Sequence, residues 1–391
     1  MNITIANEPW RGLLSGTDPE YQEQAARERL SHLPEYAAEA GFTAGEQEQL
    51  AKEMEQLSAS PELLELWDRM TRIINTTPGG FEAACTEPQF ESGGVRPFPL
   101  YLMIVLAGVP YMKALYKEHG WYETAWGEAL LDIRIWMDFC RENYGVFGIA
   151  MGYPWIIGQQ HGRVIRLGRL QCNMPGNFFS SVRVYRNEQQ NMLCALINRE
   201  LPFDRDGMWA PDEASTVFRT AMISEDEKTV TGYVSSPHGI VSPRPVTLDK
   251  SEWKPYLTEK DQVINLHIPA DGPMKPELCL DSFRKMLDFH RNVLHADPKA
   301  FVCSSWLLDP GFGRILAPGS NIISFQRFGH LLPLPGKSEL VCRVFGVKAV
   351  KNGIDSVPHK TSMQKICADY ARSGGIFRNG SFFIPVETLD L

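Results

Sequence analysis

The pattern of hydrophobic and polar positions changes near residue 155, so we expect two structurally different halves. Before this point the chain consists mainly of long segments with helix-forming composition. These segments are residues 20–40, 45–57, 61–76, 100–119 and 123–144. At the third segment a serine precedes a proline in the first turn, which is a common way for a helix to begin. We therefore predict a helical N-terminal domain over residues 1–155.

After residue 155 the hydrophobic period shortens to that of strands. Residues 163–174, RVIRLGRLQCNM, alternate as a strand does. Further short strands are expected at 178–185, 192–199, 216–223, 229–234, 330–334, 340–347 and 376–384. Asp249 is expected to cap a short helix over 250–257, and another helix is expected over 361–373.

The segment 263–308 combines a strand, a tight loop, a long helix and a second strand. Residues 263–268 are rich in apolar and β-branched side chains, and residues 300–308 return as a strand. Pro276 lies where a helix begins, because its fixed φ suits the first turn and its missing N–H would be unpaired there. Free N–H groups and the helix dipole at such an N-terminus attract anions, so this loop is the first candidate for chemistry.

Charge is divided unevenly between the two halves. Residues 1–155 carry 11 Lys and Arg against 23 Asp and Glu, whereas residues 156–391 carry 28 against 24. A weakly basic second half suits a small polyanionic ligand better than a nucleic acid, which usually requires a concentrated basic patch. We therefore expect no nucleic-acid partner.

The eight cysteines and nine histidines are scattered along the chain and predict no metal site. No cysteine pair has CxxC spacing, and most cysteines lie in apolar runs, as expected of free thiols in a reducing compartment. No apolar run follows a basic N-terminus, so no signal peptide is expected. The apolar segment 98–112 is too short for a membrane span. These features predict a cytoplasmic protein without membrane contact.

Six short segments carry a family resemblance. They are residues 166–171 (RLGRLQ), 267–270 (HIPA), 304–310 (SSWLLDP), 320–322 (SNI), 325–327 (FQR) and 361–364 (TSMQ). With the order of elements around them, they resemble the GNAT superfamily of acyl-CoA-dependent N-acyltransferases. The resemblance is closer to a bacterial family that joins a helical N-terminal domain to a GNAT-like C-terminal domain. It implies an α+β fold in which residues 156–391 form a mixed, mostly antiparallel sheet flanked by helices.

The resemblance also implies a co-substrate, acetyl-CoA or another acyl-CoA. In GNAT enzymes the fourth strand splays from the fifth and hydrogen-bonds pantetheine, and the loop after the fourth strand wraps the pyrophosphate. Residues 263–268 resemble that fourth strand and residues 300–308 the fifth. The implied cofactor-binding residues are Ile268, Ala270, Gly272, Met274, Lys275 and Asn321.

Three residues near these strands are candidate catalytic groups. His267, at the end of the presumed fourth strand, is placed to accept a proton from an amine, and a satisfied structural histidine is the alternative. Ser305 shares a strand face with Cys303, where either side chain could line the thioester channel. Asp309 precedes Pro310, and a helix-capping carboxylate is the alternative to an acid catalyst.

Arg169 and Gln171 are the candidate substrate-binding residues. Both are expected on one strand face with Ile165 and Leu167. An arginine beside an apolar face is costly unless it is paired or meets a ligand anion. A structural salt bridge and a contact with a carboxylate or phosphate therefore both stay open.

These features lead to three hypotheses for function. The first is an acyl-CoA-dependent N-acyltransferase, in which a small-molecule or peptide amine attacks the thioester directly. The second is a non-catalytic acyl-CoA or small-ligand binding protein with the same shape. The third is an interaction role in which the acidic helical half is the contact surface.

Overall fold

The computed structural model describes residues 5–16, 18–77, 80–90 and 95–389. It forms two compact units. The first contains Met1–Arg166 with Pro269–Asp271, and the second contains Leu167–Ile268 with Gly272–Leu391. The division into domains at residue 155 concerns independent folding and stays a prediction.

The described part of the first unit is built from helices. They are α1 (Trp10–Leu13), α2 (Glu23–Ser31), α3 (Leu33–Glu39), α4 (Ala44–Ser58), α5 (Pro61–Thr76), α6 (Gly80–Ala84), α7 (Pro97–Glu118), α8 (Tyr122–Ala129), α9 (Leu131–Tyr144) and α10 (Tyr153–Gln160). Helix α5 begins as predicted, with Ser60 accepting a hydrogen bond from the N–H of Leu63 and Pro61 in the first turn. The N-terminal half is therefore helical, as expected.

Helix α7 is the central helix of this unit. Every residue over 99–109 is buried, and no single face of this stretch is polar, as expected of a helix surrounded by other elements. Its length and apolar composition would also suit a membrane span, but two thirds of its most apolar stretch is buried inside the protein. Contacts with α3, α5 and α10 provide that burial, which is the behaviour of a core helix.

Two predicted long helices are each divided in the structure. The segment 20–40 forms α2 and α3, and Pro34 lies in the first turn of α3, where its missing N–H is tolerated. The segment 123–144 forms α8 and α9, which meet at Leu130. Composition predicted helix correctly in both places but did not show where the hydrogen-bond ladder stops.

The second unit is dominated by strands. Strand β1 (Val164–Leu167) lies at the boundary of the two units, and the later strands are β2 (Leu170–Asn173), β3 (Gly176–Asn177), β4 (Val182–Asn187), β5 (Met192–Ile197), β6 (Pro202–Phe203), β7 (Phe218–Arg219), β8 (Ser224–Glu225), β9 (Thr229–Ser235), β10 (Val246–Asp249), β11 (Trp253–Leu257), β12 (Gln262–His267), β13 (Ala300–Ser305), β14 (His330–Leu334) and β15 (Asn379–Pro385). The mixed sheet has the order β2-β12-β13-β15-β14, and the antiparallel sheet has the order β10-β9-β5-β4-β11. Among these neighbours β12 and β13 are parallel, and the others are antiparallel.

The two sheets share one hydrophobic core. Val184 and Ile197 of the antiparallel sheet belong to the same buried cluster as Val263, Val302 and Phe383 of the mixed sheet. Because side chains alternate along a strand, the opposite face of the mixed sheet needs separate cover.

Helices α11 (Pro276–Asn292) and α13 (Asn321–Gln326) cover that opposite face. The other helices of the unit are α12 (Phe312–Ile315), α14 (Val347–Asn352) and α15 (Ser362–Arg372), which share a separate hydrophobic cluster. Phe283 of α11 packs on Phe301 of β13 with ring centroids 5.0 Å apart. The helix begins at Pro276 as predicted, and the α+β fold is confirmed.

Four predictions of local structure in this unit are wrong. Residues 163–174 form two strands rather than one, because Gly168 turns the chain with a φ of +76° between β1 and β2. Residues 250–257 contain edge strand β11 instead of a helix, and Pro255 is tolerated there beside a bulge. Residues 340–347 contain a π-helix, Val341–Phe345, packed among helices. The segment 216–223 forms only the short strand β7.

Helix α15 provides a test of local stability. Thr361 accepts a hydrogen bond from the N–H of Gln364, whose side chain accepts one from the N–H of Thr361. Thr361→Ala should lower the free energy of unfolding by about 1 kcal/mol, because it removes half of this capping box. Urea unfolding measures the effect, and exposed Ser362→Ala in the next position is the control. Equal losses in both variants would contradict the capping role.

Candidate active site

The parallel strands β12 and β13 separate at a defined point. They pair from Val263 opposite Ala300 to Leu266 opposite Cys303. Beyond this point β12 ends at His267, whereas β13 continues through Ser304 and Ser305, which pair with β15. Residues 300–303 are buried and Ser304 is exposed, so the separation opens the sheet to solvent. Main-chain polar groups at the edges of such an opening can bind an extended ligand.

The strand register places a row of polar side chains on one face of the mixed sheet. His267 lies opposite Gln171 of β2, and Asn173 lies two residues further along β2 on the same face. On β13 the same face continues from Val302, opposite Asn265, to Ser304. The face that packs against the antiparallel sheet thus becomes polar where β12 and β13 separate.

His267 is held in one protonation state at this position. Its Nε2 lies 2.7 Å from Oδ1 of Asn173, which can only accept a hydrogen bond, so Nε2 carries the proton. Burial lowers the pKa of His267 to about 4, because the charged ring would lose its hydration. The imidazole is therefore neutral at physiological pH, with Nδ1 as the basic nitrogen.

Arg169 organises the loop that leads to α11. Arg169 lies in the turn between β1 and β2 rather than on the expected strand face. Its Nη2 donates to the carbonyl oxygen of Gly272 at 2.8 Å, and its Nε donates to that of Pro273 at 3.2 Å. In a trans peptide the N–H points opposite to the C=O, so the N–H of Met274 faces away from the guanidinium. Within the described residues the N–H groups of Gly272 and Met274 have no hydrogen-bond acceptor.

The remaining candidates for cofactor binding are spread along these elements. Ile268 is half-buried and directly follows β12, and Ala270 is exposed in the segment that belongs to the first unit. Lys275 is exposed at the N-cap of α11. Asn321 is the exposed first residue of α13, and the preceding Ser320 accepts the capping hydrogen bond from the N–H of Ile323. Each role stays a prediction.

The charge of Asp271 is compensated inside the first unit. Its carboxylate lies 2.7 Å from Nη2 of Arg166. The negative charge beside Gly272 is therefore paired with a guanidinium, and the net charge contributed by this part of the loop is small.

Two of the predicted catalytic residues have structural partners. Ser305 accepts a hydrogen bond from the N–H of Leu307 at 3.1 Å and caps the 3₁₀-helix Trp306–Leu308, and the register places it on the face opposite to His267. Asp309 is 1% exposed and accepts hydrogen bonds from the N–H groups of Gly311 and Arg378. Burial raises its pKa to about 6. These contacts favour structural roles for both residues.

Two residues at the site, Asn173 and Ser304, were not predicted from the sequence. Asn173 comes next to His267 only through the pairing of β2 with β12. Ser304 lies beside the predicted Ser305, but strand alternation alone does not tell which of the two faces His267. Among the described residues no group of three or more His, Cys, Asp or Glu side chains is arranged to hold a metal ion.

Family comparisons agree with this architecture. Residues 31–162 match the N-acyltransferase N-terminal domain, and residues 164–383 match the GNAT-like C-terminal domain. The chain belongs to the family that combines these two domains.

Solved acyltransferase structures have the same fold. One, a mutant in complex with octanoyl-CoA, is 18% identical with a TM-score of 0.59, over 96% of this chain and 94% of that one. A second, in complex with decanoyl-CoA, is 18% identical with a TM-score of 0.56, and the match covers 93% of this chain and 99% of that one. A third, in complex with decanoyl-CoA and teicoplanin, is 17% identical with a TM-score of 0.57, and the match covers 94% of this chain and 100% of that one. No curated protein matches the chain.

The protonation state of His267 is directly testable. Its NMR ring resonances should not titrate between pH 5 and pH 8, because burial places the pKa near 4 rather than near the ordinary value of about 6.5. The unfolded ring binds a proton below pH 6.5 that the folded ring does not, so this group should reduce stability as pH falls from 6.5 to about 4. A midpoint between pH 6 and pH 7 would contradict the assignment.

Proposed function

We propose that this protein is an N-acyltransferase that transfers an acyl group from an acyl-CoA to an amine by direct attack. The observation that carries the proposal is the separation of β12 and β13 beside a neutral histidine. The acyl-CoA complexes of the structural relatives support an acyl-CoA as the donor. The teicoplanin complex of one relative supports a small-molecule acceptor, and a peptide amine is the other candidate.

The coenzyme A moiety would lie between the ends of β12 and β13. Its pyrophosphate would meet the N–H groups of Gly272 and Met274, the N-terminus of α11 and the ammonium of Lys275. Arg169 contributes by holding the carbonyl oxygens of this loop away from the anion. Main-chain N–H groups of the separated strand would stabilise the tetrahedral oxyanion that forms at the thioester carbon.

His267 would accept the proton of the attacking amine at Nδ1, directly or through one water molecule. Because Nε2–H is bound to Asn173, the lone pair is fixed on the other nitrogen. A ring with a pKa near 4 is a weak base, so it suits a late proton transfer from an amine already bonded to the acyl carbon. Gln171 lies opposite His267 but is 1% exposed, so its contact with the acceptor stays a prediction.

The low pKa of His267 also favours one competing function, a binding protein without turnover. A histidine that is both buried and hydrogen-bonded can have a purely structural role in the sheet. Binding and turnover measurements on the same preparation separate these two functions.

Acyl-CoA binding should raise the melting temperature with increasing ligand concentration, because the folded state alone has the site. Acetyl-, butyryl-, octanoyl- and decanoyl-CoA form the test series, with calorimetry to measure each affinity. Arg169→Met should weaken every member about tenfold, since the loop loses the donor that orients it. Absence of heat and of a thermal shift for all four ligands would reject the proposal.

His267→Ala should lower the rate of acyl transfer by about 10²-fold and leave coenzyme A affinity nearly unchanged, as expected for loss of a general base. His238→Ala, which changes an exposed histidine of the same unit, is the matched control. Full activity of His267→Ala across pH 6 to 9 would show that the ring is structural. Coenzyme A binding without turnover in the unaltered protein would instead favour the binding protein.

A further inference from the structure

Ser304 is the first residue of β13 beyond its pairing with β12. The four residues before it are buried, whereas Ser304 is exposed. Its Oγ lies 2.8 Å from Oγ of Ser381, the residue directly opposite on β15. A pair of hydroxyl groups therefore lies at the mouth of the opening, on the side formed by β13.

The direction of the hydrogen bond between the two hydroxyls follows from burial. Ser381 is 3% exposed, and among the described residues the side chain of Ser304 is the one hydrogen-bond partner of its hydroxyl. If Ser304 donated to Ser381, the buried Ser381 hydroxyl would have no acceptor for its own proton, which is costly. Ser381 is therefore the donor, and the proton of the exposed Ser304 hydroxyl is available to a ligand.

Strand alternation fixes which side of the opening this proton faces. Ser304 is on the same face as Val302 and Asn265, and hence as His267, whereas Ser305 is on the other face. His267 and Ser304 thus lie on one face at the ends of the two separating strands. One group is suited to accept a proton, and the other to donate a hydrogen bond.

We propose that Ser304, oriented by Ser381, donates a hydrogen bond to the sulfur that leaves during acyl transfer. The inference rests on the proposed function and adds the group that stabilises the leaving thiolate. The amine nitrogen bonds to the acyl carbon while the carbonyl electron pair moves to oxygen, which gives the tetrahedral oxyanion. The C=O bond then re-forms as the C–S bond breaks, and the electron pair of the C–S bond stays on sulfur. The amine proton passes to His267 or to water. Ser304 keeps its own proton, because a hydroxyl is a weaker acid than a thiol. Ser304 is a catalytic residue in this scheme, and Ser381 is a positioning residue.

Binding of the product tests the contact without turnover. Calorimetry compares coenzyme A with desulfo-coenzyme A, which lacks the sulfur, from pH 7 to pH 9.5. In the unaltered protein, coenzyme A should gain affinity over its analogue as the thiol ionises, because a hydrogen bond to a charged acceptor is the stronger one. Ser304→Ala should reduce this gain about tenfold, and Ser224→Ala, an exposed strand serine on β8, should preserve it.

Kinetics test the coupling between the two hydroxyls. Ser304→Ala should lower kcat by about 10²-fold with little change in KM, as for loss of one donor to a developing charge. Ser381→Ala should lower kcat roughly tenfold, and the double variant should be no slower than Ser304→Ala alone, because Ser381 acts through Ser304. A merely structural role for Ser381 would give additive losses, and thermal melting of each variant checks the fold.

Two failures are distinguishable. If Ser304→Ala keeps both the pH-dependent preference for coenzyme A and the original kcat, the role of Ser304 is wrong and the proposed function stands. If the unaltered protein binds neither coenzyme A nor its desulfo analogue, the proposed function and this inference are both rejected.

Discussion

The end of hydrogen bonding between two parallel strands is the constraint on which the site depends. β12 and β13 pair for four residues and then separate, because β12 gives way to a proline-containing loop while β13 stays paired to β15. Pro269 and Pro273 have no N–H to donate, so the loop cannot continue the ladder. The opening is therefore built from main-chain geometry.

The polar row across the sheet has an energetic cost that its own hydrogen bonds offset. Asn173, His267, Ser304 and Ser381 lie near a core that is otherwise apolar, and an unpaired polar group there would cost on the order of 1–3 kcal/mol. His267 is paired with Asn173, and Ser304 with Ser381. Burial keeps the histidine neutral, and the contact with Asn173 fixes which ring nitrogen carries the proton. The pairing of Ser304 with Ser381 gives the buried Ser381 hydroxyl a partner.

Two arginines contact the loop that follows β12, one through main-chain carbonyl oxygens and the other through a carboxylate. Arg169 donates to two carbonyl oxygens, and Arg166 pairs with Asp271 within the first unit. A guanidinium suits both tasks, because its planar array of donors can hold several oxygens at fixed positions. Under the proposed function, the N–H groups of Gly272 and Met274 rather than these arginines would meet the pyrophosphate.

Hydrophobic patterning was enough to predict the helical first half and several main elements of the second half. Helix α5 at Pro61, helix α11 at Pro276 and strand β14 over His330–Leu334 follow from capping residues and hydrophobic period, which are local signals. The family resemblance identified the two strands that separate. Local signals could not tell a π-helix from a strand at 341–345, because a short apolar run suits either once it is buried. Nor could they place Asn173 beside His267, 94 residues apart in the chain, or choose Ser304 over Ser305. Strand register decides those neighbours, and register is a property of the assembled sheet rather than of any one segment.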